Sequence, residues 1–413
     1  MKKYVFVTMN IGGINGAEQY VLNKYNYLKD MGYQVYIFSG KESKILIRAF
    51  EPFAKLIHPA LRFYPSYLNK KAMEALLKWV NTEIDRREDD SFIVESTCII
   101  AALWGEIFAK ELRCRHFAYI LSENFKCPDA IKQFLLFKVS RHELAGILYD
   151  SVNKMLGDLA PAAREDMRIR AFCSNTVQQC DDPFSPLLDD QASISIGSIG
   201  RLEKNYVLPM LEELCQWFQA HSEQRINLVL IGGCANKHRL AQIKEMISAH
   251  ANVHLVLTDT VYPIPRTLVR KITLFISAAG SSRATYDAGR PTIKVDFTTG
   301  KAQGLLGYDY NPTEKTNIRE HEYGISAYLD MIISGQAAIR YDEDAEASFA
   351  RLMKTEFERH LEIANTEYTS EYYDTGHIQY ADLKYRLCYY ISRVFGVRAA
   401  YCVVDHARRK TRE

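Results

Sequence analysis

The chain has 413 residues, 47% of them apolar and 25% charged, with 21 Gly, 12 Pro and a net charge of +2. At roughly 150 residues per domain this predicts two or three globular domains and excludes a disordered, fibrous or disulfide-scaffold protein. The longest apolar runs, such as Ile226 to Ile231, fall far short of the roughly 20 residues that cross a bilayer.

Met1-Lys2-Lys3 leads straight into a strand-like run, Tyr4–Met9, too short for a signal-peptide core and without its small-residue cleavage site. The nine cysteines are scattered from Cys98 to Cys402 with no C-x-x-C pair. Reduced cytosolic thiols and a cytoplasmic location are expected, with no zinc framework. Cys98, Cys173 and Cys234 are expected as buried packing residues.

Short β-branched or aromatic runs then alternate with longer helical patterns, which predicts parallel α/β units. The first-half strands are Tyr4–Met9, Gln34–Ser39, Phe92–Glu95, His116–Leu121, Gly146–Asp150 and Arg168–Phe172. Between the first two, Ala17, Tyr20, Val21, Leu28 and Met31 recur at helical spacing, and Gly32 ends that helix. The loop after strand one, Asn10 to Glu18, carries Gly12, Gly13 and Gly16. It is either a tight turn or a cradle in which glycine lets the backbone approach an anion at a helix N-terminus. The spacing is not the dinucleotide fingerprint, and no acid follows the second strand. Glu95 ends one strand of this half and Glu123 stands just past another, and each is either a candidate base facing a cleft or a helix-capping or surface residue. His116 is expected to be structural.

The segment 181–192, with two prolines and four acids, is the expected linker between residues 1–180 and 193–345. Second-half strands are Ser193–Ile199, Ile226–Ile231, Val253–Leu257, Ile272–Ser277 and Thr292–Val295, with helices at Tyr206–Ala220, Lys237–His250 and Pro265–Lys271. Strand Ser193–Ile199 ends in Gly200-Arg201-Leu202-Glu203-Lys204. Arg201 and Lys204 there form either a diphosphate clamp or a solvated turn paired with Glu203. Gly232-Gly233 follow the next strand. Ala278-Ala279-Gly280-Ser281-Ser282-Arg283 opens a short helix whose Gly280, Ser281, Ser282 and Arg283 either bind a phosphate or merely cap the helix. A glycine-rich stretch from Asp296 to Gly307 stands at another strand end.

Residues 346–413 are expected to form a helical, tyrosine-rich segment. From Asp382 onward eight Lys or Arg stand against three acids, which points to an anionic surface and not to nucleic acid. The stretch Leu383 to Val404 is aromatic and basic together. It fits either a membrane-peripheral layer or a helix packed back on the first domain.

The order and spacing of these loops resemble the two-domain glycosyltransferases of the GT-B fold, closest to the retaining family 4. Gly12, Gly13, Gly16, Ala17 and Glu18 match its first glycine loop, and Gly200, Arg201, Leu202 and Lys204 its donor-diphosphate element. Gly232-Gly233 and the turn Gly289-Arg290-Pro291 look like further parts of the donor site. The resemblance implies two Rossmann-like parallel-sheet α/β domains facing a cleft, with a C-terminal helical segment. It implies a metal-independent hexosyltransferase using a nucleotide-sugar, most simply a uridine diphosphate sugar, with no separate cofactor. The acceptor would be a surface polysaccharide or a lipid-linked glycan at the inner membrane face. Two departures stand out. The Arg201–Lys204 spacing is short, and the family's paired glutamates are replaced by Ile276 and Ala284. A catalytically silent partner of a polysaccharide enzyme and a nucleotide-sugar epimerase are the alternatives.

Overall fold

The computed structural model describes residues 1–413 except 42–43, 122–126, 148, 163, 171, 173–176, 313–315, 318–322, 342–343, 367–369, 379–382 and 411–413. The chain divides into two compact units, one comprising Met1–Cys173 and Ala350–Thr411, the other Ser174–Phe349.

The first unit opens with β1 (Lys2–Thr8), α1 (Gly16–Asp30), β2 (Gln34–Ser39), α2 (Lys70–Glu83), β3 (Ser91–Ser96) and α3 (Ile99–Leu112). It continues with β4 (Arg115–Ile120), α4 (Asp129–Ser140), β5 (Leu144–Gly146) and α5 (Tyr149–Leu156). The strands form one parallel sheet in the order β2-β1-β3-β4-β5. Tyr4 to Val7 are buried without alternation, as a strand covered by helices on both faces must be. Gly32, with φ +78°, ends α1 in the left-handed conformation that glycine adopts freely. The strand expected at Arg168–Phe172 is a correction: among the described residues this segment makes a single bridge, Arg168 to Gly146. The run from Gly146 turns into helix at Tyr149.

The second unit contains β6 (Val177–Gln178), β7 (Ile194–Ile199), α6 (Val207–Ala220), β8 (Ile226–Ile231), α7 (Lys237–Ser248), β9 (Val253–Leu257) and β10 (Ile264–Pro265). It ends with α8 (Arg266–Lys271), β11 (Leu274–Ala278), α9 (Ala279–Asp287), β12 (Thr292–Val295), β13 (Ala302–Leu305) and α10 (Ile325–Ile333). Its main sheet runs β13-β12-β11-β7-β8-β9 and is parallel except at the β12–β13 edge. The acidic proline segment 181–192 is fastened to this unit. Asp182 accepts bonds from the Phe184 and Ser185 amides and from Thr267 Oγ1, and Asn227 Oδ1 receives the Asp189 amide.

The C-terminal elements α11 (Ala345–Asn365), α12 (Leu383–Phe395) and α13 (Val397–Lys410) follow, and from Ala350 they belong to the first unit. Two buried polar clusters hold them there. In one, the Glu95 carboxylate accepts from Tyr4 OH at 2.5 Å, from Tyr20 OH at 2.8 Å and from the Lys24 ammonium. His360 Nδ1 of α11 lies 3.1 Å from Lys24 Nζ. An ammonium donating to Nδ1 requires a neutral imidazole. In the other, Lys138 bridges Glu106 and Glu143, and His116 lies 2.9 Å from both Glu106 Oε2 and Ser96 Oγ. Arg115 reaches Ile363 O and Thr366 Oγ1, and the Tyr373 amide donates to Glu106. Against the pull of burial, the His116 and Lys138 contacts hold Glu106 at about 2.

Breaking a buried ion pair by removing one partner costs about 3–5 kcal/mol. Lys24→Met, which strands Glu95, is therefore expected to lower the unfolding free energy by about that much in urea titration. Burial, and then the Lys24 charge, depress His360 well below the ordinary imidazole range, and burial lowers His116 too. A depressed imidazole contributes stability that is present above about pH 6.5 and is lost as the pH falls, because the unfolded chain takes up a proton that the native site refuses. Urea midpoints are expected to fall between about pH 7.5 and pH 5.5, and His360→Phe is expected to flatten that slope.

Candidate functional site

Viewed from β9, the parallel strands of the second sheet read β9-β8-β7-β11-β12. The chain winds outward from β7 to β9, then returns to the other side of β7 at β11. Loops leaving neighbouring strands on either side of such a reversal part at the carboxyl edge, and that crevice is where open α/β sheets bind ligands. The loops after β7 and β11 flank it, with the β8 and β9 loops alongside.

After β7, the Gly200 amide donates to Ile231 O and the Leu202 amide to Gly233 O, both at 3.0 Å. This stitches the β7 loop to the β8 loop. A Cβ on Gly232, whose φ is +148°, would collide with Gly200 O, and one on Gly233 would collide with the Thr260 side chain. Gly232 also bridges Asp259, itself left-handed at φ +56°. The glycines are there because three loops close on one another. Above them the Arg201 side chain is 59% exposed, 3.4 Å from Glu203. Lys204 Nζ lies 5.8 Å from the centroid of the Tyr206 ring. Tyr206 is buried beneath Gly200, and burial raises its phenol to about 12 against the opposing charge of Arg201.

After β11 the chain turns within one residue. Ala279 takes φ +50°, a left-handed conformation costing roughly 1–2 kcal/mol for a residue with a Cβ. The turn starts α9 at once, so its first amides, with no carbonyl one turn behind them, stand at the reversal point. Gly280 has open space where a Cβ would be, and Ser281 is half-buried. Ser282 and Arg283 do not join them. Ser282 Oγ donates to Ala279 O at 2.7 Å, and Arg283 Nε lies 2.6 Å from Asp287 Oδ1. The spacings of three and four residues that put them on a helix also give them partners inside it. Ile276 and Ala284, at the places of the family's glutamates, are core residues.

The turn Gly289-Arg290-Pro291 precedes β12, so it lies at the amino edge, where Arg290 Nε donates to Ile272 O. It therefore does not close the crevice. The loop after β12 is at the carboxyl edge. Gly300 there packs against Tyr206 O at the start of α6, and Asp296 accepts from the Thr298 and Thr299 amides.

In the first unit the order β2-β1-β3 places the reversal between β1 and β3, and the loop with Gly12, Gly13 and Gly16 leaves β1 beside it. Asn10 Oδ1 receives the Gly12 amide at 3.0 Å, and Asn10 Nδ2 donates to Glu18 Oε1 at 3.2 Å. A Cβ on Gly13 would crowd Glu18 Oε1. The Glu18 carboxyl is buried, its Oε2 has no partner, and burial pushes its pKa up. Glu95 is a correction. It points into the sheet–helix interior, fully buried, with Tyr4, Tyr20 and Lys24 bonded to its carboxylate. A strand-end position does not decide which face a side chain takes, since faces alternate residue by residue. Glu123 lies outside the described residues, as does Cys173. Cys98 and Cys234 are half-buried and not core residues.

The candidate site thus comprises Gly200, Arg201, Lys204, Gly232, Gly233, Gly280 and Ser281, joined by Asp259, Thr260 and the strained Ala279. Sequence reasoning missed the last three. Asp259-Thr260 follows a strand, which was a usable signal, but neither glycine nor motif spacing marks it.

No protein-family model and no curated protein matches the chain. Solved structures do. A glycosyltransferase from Rickettsia africae ESF-5 aligns with a TM-score of 0.57 at 12% identity, over 89% of this chain and 99% of that one. Anabaena Alr3699/HepE, solved in complex with UDP and glucose, aligns with a TM-score of 0.56 at 11% identity, over 87% and 99%. Identity this low speaks for architecture only, and the architecture is the GT-B glycosyltransferase fold.

Gly232→Ala is expected to destabilise the second unit by about 2 kcal/mol or more, because the new methyl meets backbone and not a movable side chain. Gly280→Ala, at an open position, is expected to leave the unfolding temperature unchanged. Paired thermal denaturation of the two variants checks both.

Proposed function

We propose that the protein is a glycosyltransferase that binds a uridine diphosphate sugar in the second unit and transfers the sugar to a hydroxyl of a glycan acceptor. The observation that carries this is the placement of the Arg201 loop and the N-terminus of α9 on either side of the β7–β11 reversal. The chain's likeness in fold to a protein crystallised with UDP and glucose supports a nucleotide-sugar donor.

In this reading the diphosphate sits between Arg201, Lys204 and the Gly280 and Ser281 amides. As the anomeric C–O bond breaks, negative charge grows on the departing phosphate oxygen. Fixed cations and a helix N-terminus stabilise that charge more in the transition state than in the ground state. The acceptor oxygen bonds to the anomeric carbon and its proton passes to the departing diphosphate oxygen, which spares the reaction a protein base. The interior placement of Glu95 favours this route. Protein cations meet the charge, so the scheme calls on no metal. We infer the acceptor to be a surface polysaccharide or lipid-linked glycan handled in the cytoplasm, from the basic, aromatic C-terminal stretch.

One observation favours a second reading, that of a silent nucleotide-binding partner. With Ile276 and Ala284 in the core, the donor sugar lacks the carboxylate pair expected to hold its hydroxyls.

Thermal unfolding against nucleoside diphosphates and their sugars tests both. Arg201 is exposed, so Arg201→Ala is expected to leave the ligand-free midpoint unchanged. A uridine nucleotide is expected to raise the wild-type midpoint by about 2–4 °C per kcal/mol of binding linkage, and the variant is expected to lose most of that rise. No shift with any nucleotide at millimolar concentration, or an equal shift in the variant, overturns the donor site. Binding without release of UDP from any UDP-sugar and acceptor favours the silent partner.

A further inference from the structure

The C-terminal hairpin of α12 and α13 has two faces with opposite characters. Its inner face is bolted to the segment 62–67 of the first unit. Ser392 Oγ donates to Tyr67 O at 3.2 Å, Arg393 Nη2 to Ser66 O at 3.3 Å, and the Tyr389 ring meets Tyr67 edge-on at 5.7 Å. The Arg62 guanidinium lies 4.9 Å from the Tyr401 ring centroid, and Ala400 is fully buried. The hairpin is thus already docked, and its outer face is not a core surface awaiting this chain's own packing.

That outer face is apolar. Leu387, Tyr390, Val394 and Phe395 are 57%, 65%, 71% and 75% exposed. Steps of three and four residues put Leu387, Tyr390 and Val394 on one stripe of a helix with 3.6 residues per turn, and Phe395, its last residue, stands about 100° round from Val394. Gly396, left-handed at φ +84°, ends α12 directly after Phe395, and Val403 on α13 is exposed as well. Large apolar side chains grouped on a soluble surface mark a contact with something apolar. The charge around them decides what. From Leu383 to Lys410 seven Lys or Arg stand against one acid, Asp405, which gives the hairpin a strong positive excess. Two copies meeting through this face would bring like charges together, whereas an anionic lipid surface supplies the counter-charge and an apolar interior at once.

We propose that the outer face of the α12–α13 hairpin lies on an anionic lipid bilayer, with Leu387, Tyr390, Val394 and Phe395 in the acyl–headgroup boundary and the basic residues among the headgroups. Among the described residues no helix is long and apolar enough to cross a membrane, so the hairpin lies in the interface and does not span it. This attachment goes beyond the proposed reaction and does not rest on it, because it is read without nucleotide or acceptor.

Co-sedimentation of the full chain with phosphatidylglycerol–phosphatidylcholine vesicles, and with phosphatidylcholine vesicles alone, tests the proposal. The wild type is expected to pellet with the anionic vesicles, more weakly at high salt and scarcely at all with the zwitterionic ones. Leu387→Ser/Val394→Ser/Phe395→Ser, all at exposed positions, is expected to keep the wild-type unfolding temperature and lose partitioning by roughly tenfold or more. Should that variant misfold, Arg408→Gln/Arg409→Gln/Lys410→Gln is expected to weaken binding and its salt dependence together. Three results overturn the proposal: no wild-type binding to anionic vesicles, unaltered binding by a folded serine variant, or a wild-type dimer that the serine variant converts to monomer.

Discussion

Lys24 and Glu95 meet in an interior from which water is excluded, and a buried charge pair survives there only if its remaining hydrogen-bonding capacity is met. Tyr4, Tyr20 and His360 meet it. The first two come from elements packed against the pair early in the chain. His360 comes from α11, so the most N-terminal sheet is electrostatically complete only when the C-terminal helix has returned to it. The second cluster repeats the device, with Arg115 and Glu106 gripping the backbone at Ile363 and at Tyr373. The first unit is a parallel sheet whose polar interior is closed by residues from the far end of the chain.

The other constraint is topological. A strand order that reverses direction leaves a crevice at the carboxyl edge, and each of the two large sheets has one such reversal. In the second unit, glycine at positions 200, 232 and 233 allows the loops to close on one another, and the left-handed Ala279 starts a helix at the crevice. The strain at Ala279 and the close approach at Gly232 sit where backbone amides and the exposed Arg201 can address an anion. Stability is conceded at the place where binding needs the geometry.

Much of this was legible in advance. Every strand of the second sheet from β7 to β12 was marked by its apolar run within about two residues, as were the helix starts that follow glycine turns. Gly12 and Gly280 were picked out because a strand-to-helix turn demands glycine for reasons local to the turn, and Gly200 and Gly232 by the resemblance of their loops to a donor site. The placement of side chains was less legible. Glu95 stands at a strand end like a catalytic carboxylate and is interior. Ser282 and Arg283 look like ligand groups and are bonded within their own helix. Gly289-Arg290-Pro291 has the residues of a donor turn and lies at the opposite edge of the sheet.

The sequence by itself determined the α/β class, the two Rossmann-like sheets and the glycine turns, because propensity, periodicity and φ restrictions act over a few residues. Tertiary structure decided which charges face a ligand and which are spent on folding. That choice depends on partners far away in the chain: Lys24 is 71 residues from Glu95 and 336 from His360. No local pattern records whether such partners will arrive. Only packing brings them together, and it leaves Arg201 in water while Glu95 is sealed inside.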